Sequence, residues 1–304
     1  MDKIRVPVIL GPTAVGKTDF VLHIAEALGY EVLSCDSRQI YRRMDIGTAK
    51  PSLAVRERVR HWLVDILEPS EPYSAFAFAH DALRVIRKSR ESGKKILICG
   101  GTGLYYHILS NGAGDLDEAD LELRGSLQEE ARIHGSAALH GRLAAADPDA
   151  AAKIHPNDLQ RLLRALDILY RRGQPLSELQ GGGRPPEDID FHTVVVSRPR
   201  EVLYERINKR VDMMFELGLR EEFEALRHLG YTEASPGMVC VGYRELFAVE
   251  KGEASLEQAV ELVKRNTRRY AKRQMTWFRN KVHGTVIDVD ADNGKRLLDY
   301  LIQF

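Results

Sequence analysis

Eight residues near the start of the chain have the types and spacing of a phosphate-binding loop. Residues 11–18 read GPTAVGKT and match the pattern G-x-x-x-x-G-K-[ST] at every defined position, between a strand-like run and a helical one. The glycines let backbone amides turn toward an anion, the lysine adds a positive charge, and the last hydroxyl can ligate Mg²⁺. We call these residues the P-loop and expect them to bind a phosphate compound: Gly11, Pro12, Thr13, Ala14, Val15, Gly16, Lys17 and Thr18.

A carboxylate lies where a doubly wound sheet holds its ligands. Asp36 directly follows the second strand-like run, residues 31–35, and should therefore lie beside the P-loop. A carboxylate there could act as a general base for an incoming nucleophile, or could help to hold Mg²⁺. It could equally cap the N-terminus of a helix, since Asp and Ser both cap well. Its position alone leaves these interpretations open.

The P-loop does not identify the phosphate compound. ATP-hydrolysing proteins of this class usually carry a carboxylate at the end of an apolar strand. Here the run at residues 96–99 is followed by Gly100, Gly101 and Thr102 and not by an acid. This absence argues against a motor protein or a GTPase. A P-loop kinase that acts on a small molecule, with Asp36 as its base, remains possible. A non-catalytic RNA-binding module that senses phosphate also remains, although a carboxylate beside the P-loop argues against it.

Longer blocks in a fixed order resemble the bacterial tRNA dimethylallyltransferase family. The resemblance begins with the P-loop and residues 36–41, DSRQIY. It continues through residues 44–51 (MDIGTAKP), 73–76 (YSAF), 100–105 (GGTGLY), 155–161 (HPNDLQR), 240–244 (CVGYR) and 269–278 (RYAKRQMTWF). It covers nearly the whole chain, and such blocks are far more specific than a P-loop alone.

The resemblance implies a definite reaction. A dimethylallyl group moves from dimethylallyl diphosphate to N6 of the adenine that follows the anticodon of tRNA, with Mg²⁺ as cofactor. The P-loop would then hold the leaving pyrophosphate rather than a nucleotide, with Thr18 as the metal ligand. Asp36 would be the general base, and Lys17, Thr102 and Arg210 would be the other catalytic residues.

The resemblance also implies which residues bind tRNA. They are Asp36, Ser37, Arg38, Gln39, Thr102, Arg124, Gln160, Arg161, Leu162, Leu163, Arg164, Val239, Cys240, Val241, Gly242, Tyr243 and Arg244. Val239 departs from the family pattern, in which a polar or basic residue is common at this position. The partners implied are dimethylallyl diphosphate and the anticodon stem-loop of tRNA.

Strand-like and helical runs alternate over the first part of the chain. Strands are predicted at residues 6–10, 31–35 and 95–99, and helices at 17–28, 53–62 and 75–92. A helical, Ala- and Leu-rich stretch then runs from about 117 to 180 and ends in a Gly- and Pro-rich linker at 181–186. A β-branched run at 193–196 follows, and helices are predicted at 200–217, 219–229 and 256–278.

This order predicts an α/β fold, a P-loop NTPase-like parallel sheet core flanked by helices, with an inserted all-helical module. We expect the core to comprise residues 1–114 and 190–304. The inserted module, residues 115–189, would contain Arg124 and Arg164 and serve as a clamp on the anticodon stem.

The formal net charge of zero hides a basic stretch. Residues 264–281 contain eight Lys and Arg residues and no acid, interleaved with Tyr270, Trp277 and Phe278. The basic residues could bind phosphates on one side of the stretch while the aromatic residues pack in the core on the other. Alternatively, the basic residues could form a solvated face that binds nothing, with the aromatic residues buried.

Cysteine usage and apolar runs suggest the compartment. Cys35, Cys99 and Cys240 lie far apart, which argues against a zinc site or disulfides and fits a reducing cytosol. Cys35 and Cys99 are expected to be small buried thiols, and His155 to cap a helix. No apolar run is long enough to span a bilayer, and the first residues do not suggest a signal peptide. We therefore predict a cytoplasmic protein with no membrane partner, and we expect a monomer.

Overall fold

The computed structural model describes residues 3–112, 120–178, 183–291 and 295–302. Contacts divide the chain into two compact units, Met1–Asn111 with Pro185–Phe304, and Gly112–Arg184. The boundary predicted after residue 114 lies outside the described residues, as do Gly181 and Gly182 of the predicted linker. The tRNA-binding role of the inserted module stays a prediction.

The larger unit contains a parallel sheet, so the predicted α/β fold is confirmed. Among the described residues the sheet has six strands in the order β3-β2-β4-β1-β5-β6, and every neighbouring pair is parallel. The strands are β1 (Ile4–Leu10), β2 (Tyr30–Cys35), β3 (His61–Trp62), β4 (Lys95–Gly100), β5 (Ile189–Ser197) and β6 (Thr285–Asp288). Val8, Ile9 and Leu10 of β1 are fully buried, as expected for a strand with helices on both faces.

The described residues form thirteen α-helices. They are α1 (Lys17–Leu28), α2 (Leu53–Arg58), α3 (Ala75–Glu91), α4 (Gly103–Asn111), α5 (Leu121–His134), α6 (Ser136–Ala146), α7 (Pro148–Ala151), α8 (Leu159–Arg172), α9 (Arg200–Glu216), α10 (Leu219–His228), α11 (Tyr243–Glu250), α12 (Leu256–Lys281) and α13 (Lys295–Leu301). Only α5 to α8 belong to the smaller unit. Among the described residues, no helix combines the length and the apolar character needed to cross a membrane.

The helix predicted over residues 53–62 is wrong in its second half. Helix α2 ends at Arg58, Val59 is extended, and His61 and Trp62 form an edge strand parallel to β2. Trp62 is held there because its indole N–H donates a 2.7 Å hydrogen bond to the carboxylate of Glu31. Two residues are too few to show the alternating pattern of a strand. Strand β6 was not predicted for the same reason, since it has only four residues.

The smaller unit is helical throughout its described residues. Its core is built from leucines and alanines of α5, α6 and α8, among them Leu139, Leu143 and Leu166, which are fully buried. Helix α8 is capped by Asp158, whose carboxylate accepts a hydrogen bond from the Arg161 amide. His155 instead accepts a bond from the Asn157 amide, so the prediction that His155 caps a helix is wrong.

The central strands bring three loops of the larger unit to one edge. Strand β4 lies between β2 and β1, and Gly100 is in register with both Cys35 and Leu10. A Cβ atom on Gly100 would lie 2.0 Å from the Cys35 carbonyl oxygen, so only glycine fits this close approach. The segments that follow β1, β2 and β4 therefore start side by side.

Candidate active site

The P-loop has the backbone geometry that an anion nest needs. Gly16 has a φ of 96° and Ala14 a φ of 62°, and both turn the chain before α1 begins at Lys17. A Cβ atom on Gly11 would lie 2.7 Å from Val196 of β5, so the loop also needs glycine where it leaves the sheet. The Lys17 ammonium donates to the carbonyls of Gly11 at 2.8 Å and Pro12 at 2.9 Å, which holds it under the loop.

Three arginines bond to the same loop, one from the segment that follows β5 and two from α9. Arg198 donates to the Val15 carbonyl at 2.8 Å, and Arg206 to the Ala14 carbonyl at 2.9 Å. Arg210 donates to the Thr13 hydroxyl at 3.2 Å, which places this predicted residue at the P-loop. Arg198 and Arg206 were missed. The one signal for Arg206 is its spacing of four from Arg210, which puts both on one helix face.

The charge of Lys17 is finely balanced. The pKa of Lys17 is lowered to about 8, mainly because burial disfavours the charged ammonium and to a smaller extent because the Arg210 guanidinium is near, while Cys99, Asp36 and Cys35 partly offset this shift. A bound polyanion would favour the charged form. The ammonium is therefore poised to respond to a phosphate ligand.

The Asp36 carboxylate has a structural role as well as a reactive position. Its Oδ1 atom accepts hydrogen bonds from the amides of Arg38 at 2.8 Å and Gln39 at 3.4 Å, and so caps the turn that follows β2. Asp36 therefore caps a turn and not a helix, because residues 37–40 form a turn, and the helix-cap interpretation is wrong. Among the described residues only Oδ1 is engaged in this way, and Oδ2 keeps its acceptor capacity for a ligand.

Thr102 lies against the turn after Asp36. The Ser37 amide donates to the Thr102 hydroxyl at 3.0 Å, and the Thr102 amide donates to the Cys35 carbonyl at 3.1 Å. On the other side of the turn, the side-chain oxygen of Gln39 accepts from the Ser34 hydroxyl at 3.0 Å. The structure thus brings together Asp36, Ser37, Gln39 and Thr102, as predicted.

Gln274 of α12 joins the P-loop to the loop after β4. Its side-chain oxygen accepts a 2.9 Å hydrogen bond from the Thr13 amide, and its nitrogen donates 2.8 Å to the Gly101 carbonyl. The side chain is buried, and a Cβ atom on Gly101 would lie 2.6 Å from it. Gln274 lies in the block at residues 269–278 that resembles the family, but no role was predicted for it.

The segment at residues 239–244 is partly surface and partly core. Val239 and Arg244 are exposed, and Cys240 and Val241 are half-buried. Tyr243 is fully buried, and its hydroxyl donates 2.5 Å to the Glu222 carboxylate. Tyr243 has no exposed surface in this structure, and its bond to Glu222 gives it a framework role, so its contact with tRNA stays a prediction.

Glu222 of α10 ties Tyr243 to the family block at residues 44–51. Its carboxylate accepts hydrogen bonds from three consecutive amides, those of Asp45, Ile46 and Gly47, at 2.7–2.9 Å. Gly47 packs so closely on the Tyr243 ring that a Cβ atom would lie 2.5 Å from it. Arg38 extends the link, since it donates 2.9 Å to the Pro236 carbonyl. These contacts hold the turn after Asp36 next to residues 239–244.

The predicted tRNA contacts of the smaller unit are also of two kinds. Gln160 and Arg161 are exposed, whereas Leu162 and Leu163 are buried in the helical core. The two leucine side chains pack α8 against the core of this unit, and their contact with tRNA stays a prediction. Arg124 and Arg164 are half-buried and both bond to the buried carboxylate of Asp167.

Helix α12 has the two-sided character that the basic stretch suggested. Ala271, Gln274 and Phe278 are buried, and Lys264 and Arg268 bond to Asp212 and Asn208 of α9. Four exposed basic residues lie along one face of the helix, at successive intervals of four, three and seven residues: Arg265, Arg269, Lys272 and Arg279. A stripe of positive charge therefore runs along the helix that supplies Gln274 to the P-loop.

The cysteines and the oxygen ligands define what the site can hold. Burial raises the pKa of Cys35, and raises that of Cys99 to about 11, so both thiols stay protonated. Cys35 is buried as expected, whereas Cys99 is only half-buried.

Within the described residues no cluster of His, Cys, Asp and Glu could hold a metal alone. The exposed Thr18 hydroxyl and the Asp36 carboxylate nevertheless fit Mg²⁺, which binds through one or two protein oxygens and keeps several waters.

Comparisons with known proteins agree on one family. A family model described as IPP transferase matches residues 39–281. The tRNA dimethylallyltransferase of Geobacter sulfurreducens is 46% identical over 279 residues, which are 91% of this chain and 90% of that protein. That of Thermotoga maritima is 44% identical over 276 residues, 90% of this chain and 89% of the relative.

Solved structures give the same result. The full-length tRNA isopentenylpyrophosphate transferase of Bacillus halodurans superposes with a TM-score of 0.71 at 39% identity, covering 99% of this chain and 95% of that one. A eukaryotic dimethylallyltransferase acting on tRNA superposes with a TM-score of 0.81 at 27% identity, covering 97% and 77%.

Proposed function

The chain belongs to the IPP transferase family, and from this we propose how its residues transfer a dimethylallyl group from dimethylallyl diphosphate to tRNA. The acceptor atom is N6 of the adenine that follows the anticodon, and pyrophosphate is the second product. One observation carries the proposal: the P-loop, Asp36 and Thr102 meet at the ends of three adjacent strands, and Gln274 bonds the loops together.

The donor site is proposed to be the P-loop. As the allylic C–O bond breaks, negative charge builds on the diphosphate, and stabilising that charge is commonly the largest catalytic contribution. Lys17 and Arg210 are bonded to the loop, through the Gly11 carbonyl and the Thr13 hydroxyl, and bring two positive charges to it, while the loop amides add fixed dipoles. Mg²⁺ held by Thr18 would neutralise further charge on the diphosphate.

Asp36 is proposed to be the general base. The adenine amine is a weak nucleophile because its lone pair is delocalised into the ring. As the new C–N bond forms, one N6 proton must leave, and Oδ2 of Asp36 can accept it while Oδ1 keeps the turn in place. General-base assistance of this kind contributes about 10²–10⁴-fold.

The tRNA side of the proposal rests on exposed polar and basic groups. A base in a nucleic-acid loop must leave its stack before an enzyme can reach its edge. In the larger unit, the half-buried Ser37, Arg38 and Gln39 directly follow Asp36, Arg244 is exposed, and the basic stripe on α12 can follow a phosphate backbone. In the smaller unit, we propose that the exposed Gln160 and Arg161 and the half-buried Arg124 and Arg164 contact the anticodon stem. Because its substrate is tRNA, we propose a cytoplasmic protein that works as a monomer.

The P-loop kinase alternative is not favoured. Proteins related over about nine-tenths of the chain are named tRNA dimethylallyltransferases, and the strand before Gly101 and Thr102 lacks the usual acid. A kinase would still predict phosphoryl transfer from ATP, which the test below includes.

The test is nucleoside mass spectrometry. Protein, Mg²⁺, dimethylallyl diphosphate and an unmodified tRNA with adenine after its anticodon are incubated, and the tRNA is digested. We expect one adenosine per tRNA to gain the mass of a dimethylallyl group, and a control tRNA with guanine at that position to stay unchanged. An unmodified adenosine in the first tRNA, with folded protein, would overturn the proposal.

A further inference from the structure

Two arginines from distant elements bond to consecutive carbonyls of the P-loop. The Nε atom of Arg206 donates to the Ala14 carbonyl at 2.9 Å, and that of Arg198 donates to the Val15 carbonyl at 2.8 Å. Arg198 directly follows β5, the neighbour of β1 in the sheet, whereas Arg206 lies in α9. Because both donors are cations, these bonds are stronger than bonds between neutral groups. We call Arg198 and Arg206 the loop arginines.

The two carbonyls lie where the backbone of the loop turns. Ala14 and Gly16 have φ angles of 62° and 96°, in the left-handed region. A residue with a Cβ atom is disfavoured there, so the conformation of Ala14 has to be held by its surroundings. The bond from Arg206 is one such contact. The loop arginines also pack on the second left-handed residue, because an Nη2 atom of each lies 3.5 Å from the position of a Cβ atom on Gly16.

The geometry of the peptide bond converts these carbonyl contacts into an orientation of amides. The described residues contain no cis peptide bond, and in a trans peptide the C=O and the following N–H point in opposite directions. Drawing the Ala14 and Val15 carbonyls toward the loop arginines therefore directs the amides of Val15 and Gly16 to the opposite side of the loop. An anion nest needs its N–H donors on that side.

Arg198 is itself fixed from a neighbouring strand. Its Nη1 atom forms an ion pair with Asp290, which follows β6, and β6 lies beside β5 in the sheet. Only 12% of the Arg198 side chain is exposed. The guanidinium is therefore ordered before any ligand arrives, and ligand binding does not have to order it.

We infer that the loop arginines are positioning residues for the donor diphosphate, which hold the Ala14 and Val15 carbonyls so that the loop amides face the phosphates. This inference rests on the proposed function and deepens it, because the family resemblance gave neither arginine a role. The loop arginines differ in this from Arg210, which bonds to the Thr13 hydroxyl and is proposed to stabilise charge on the diphosphate itself.

The test measures binding of inorganic pyrophosphate, with Mg²⁺, by isothermal titration calorimetry. Arg206→Met removes the bond to the Ala14 carbonyl, and Arg206→Lys keeps a positive charge and a donor. Lys209→Gln is the matched control, because Lys209 lies on the same helix, is 72% exposed and pairs with the exposed Glu205. The affinity for unmodified tRNA, measured by filter binding without the prenyl donor, is the second readout, and thermal melting checks folding.

The expected results separate positioning of the loop from a general loss of structure. Arg206→Met should raise the dissociation constant for pyrophosphate by about tenfold or more, as expected for the loss of a hydrogen bond to a charged group. Arg206→Lys should recover part of this affinity, because an ammonium can still donate to a carbonyl. Lys209→Gln should match the parent chain. All three variants should bind tRNA as the parent does, because the loop arginines act on the donor loop.

Three results would overturn the inference: unchanged pyrophosphate affinity in folded Arg206→Met, no recovery in Arg206→Lys, or a parallel loss of affinity for tRNA. If Arg206→Met does not fold, Arg198→Met decides, since it removes the bond to the Val15 carbonyl and should weaken pyrophosphate binding in the same way. Failure of the parent chain to modify tRNA while it still binds pyrophosphate would count against the proposed function and not against this inference.

Discussion

The backbone amide of Thr13 donates a 2.9 Å hydrogen bond to the side chain of Gln274, although 261 positions separate the two residues. The same side chain donates to the Gly101 carbonyl, and Gly101 precedes Thr102 in the loop beside Asp36. A single buried amide therefore connects the loop proposed for the donor with the loop proposed for the acceptor.

Replacing Gln274 tests this connection. Gln274→Leu leaves the Thr13 amide and the Gly101 carbonyl without their partner, and an unmade buried hydrogen bond costs about 1–3 kcal/mol. We expect the free energy of unfolding in urea to fall by about this amount. Thr276→Ala, at an exposed position of the same helix, should change it by less than about 0.5 kcal/mol. Equal effects of the two changes would contradict the bridging role.

The Asp36→Asn variant should distinguish the role of Asp36 as general base from its role in capping the turn. Asparagine keeps an oxygen that can accept from the Arg38 and Gln39 amides, but it cannot take up a proton at neutral pH. We expect the single-turnover rate of prenyl transfer to fall by about 10²–10⁴-fold, while the affinity for tRNA stays within a few-fold. Near-normal turnover, in this variant or in Asp36→Ala with tRNA still bound, would show that Asp36 is not the base.

Lys17 predicts a pH dependence of donor binding. With the pKa of the free protein lowered to about 8, the ammonium loses its proton as the pH rises through that value. Only the charged form attracts the diphosphate, so the dissociation constant for pyrophosphate should rise by up to about tenfold for each pH unit above 8. Isothermal titration calorimetry between pH 7 and 9.5 measures this.

Lys17→Arg provides the control for that experiment. Arginine stays protonated over the whole range, so whatever affinity the variant retains should not follow the Lys17 titration. The explanation fails if the parent chain binds pyrophosphate equally well at pH 7 and 9.5.

Tyr243 and its neighbour Arg244 should behave differently. Tyr243→Phe removes the buried bond to Glu222 and should lower the free energy of unfolding by about 1–3 kcal/mol. Arg244→Gln, at an exposed position, should leave stability nearly unchanged and raise the KM for tRNA several-fold. Thermal melts and steady-state kinetics on both variants distinguish a framework residue from a contact. The reverse pattern would contradict the burial argument.

Features set by local sequence were predictable. The P-loop and the first parallel strands follow from glycine spacing and apolar runs, which act over a few neighbouring residues. A helix cap was one of the interpretations left open for Asp36, and the turn that it caps instead was not predicted, because the sequence shows a capping residue but not whether a helix follows it.

Features set by distant contacts were not predictable from the pattern. The bond from Thr13 to Gln274, the contacts of Arg198 and Arg206 with the P-loop, and the bond from Arg124 to Asp167 all depend on the folded arrangement of separate elements. Burial had the same effect on motif residues. Tyr243 lies in a block that resembles the family and Leu162 directly follows one, but a block does not show which of its members or neighbours are buried in the core.

The most direct measurement of the central claim is the stoichiometry of the two products in one reaction. Protein is incubated with Mg²⁺, unmodified tRNA and dimethylallyl diphosphate, and both pyrophosphate and prenylated adenosine are quantified over time. We predict one pyrophosphate per modified tRNA, and no phosphoryl transfer when ATP replaces the prenyl donor. Phosphate transferred from ATP with no modified adenosine would contradict the account.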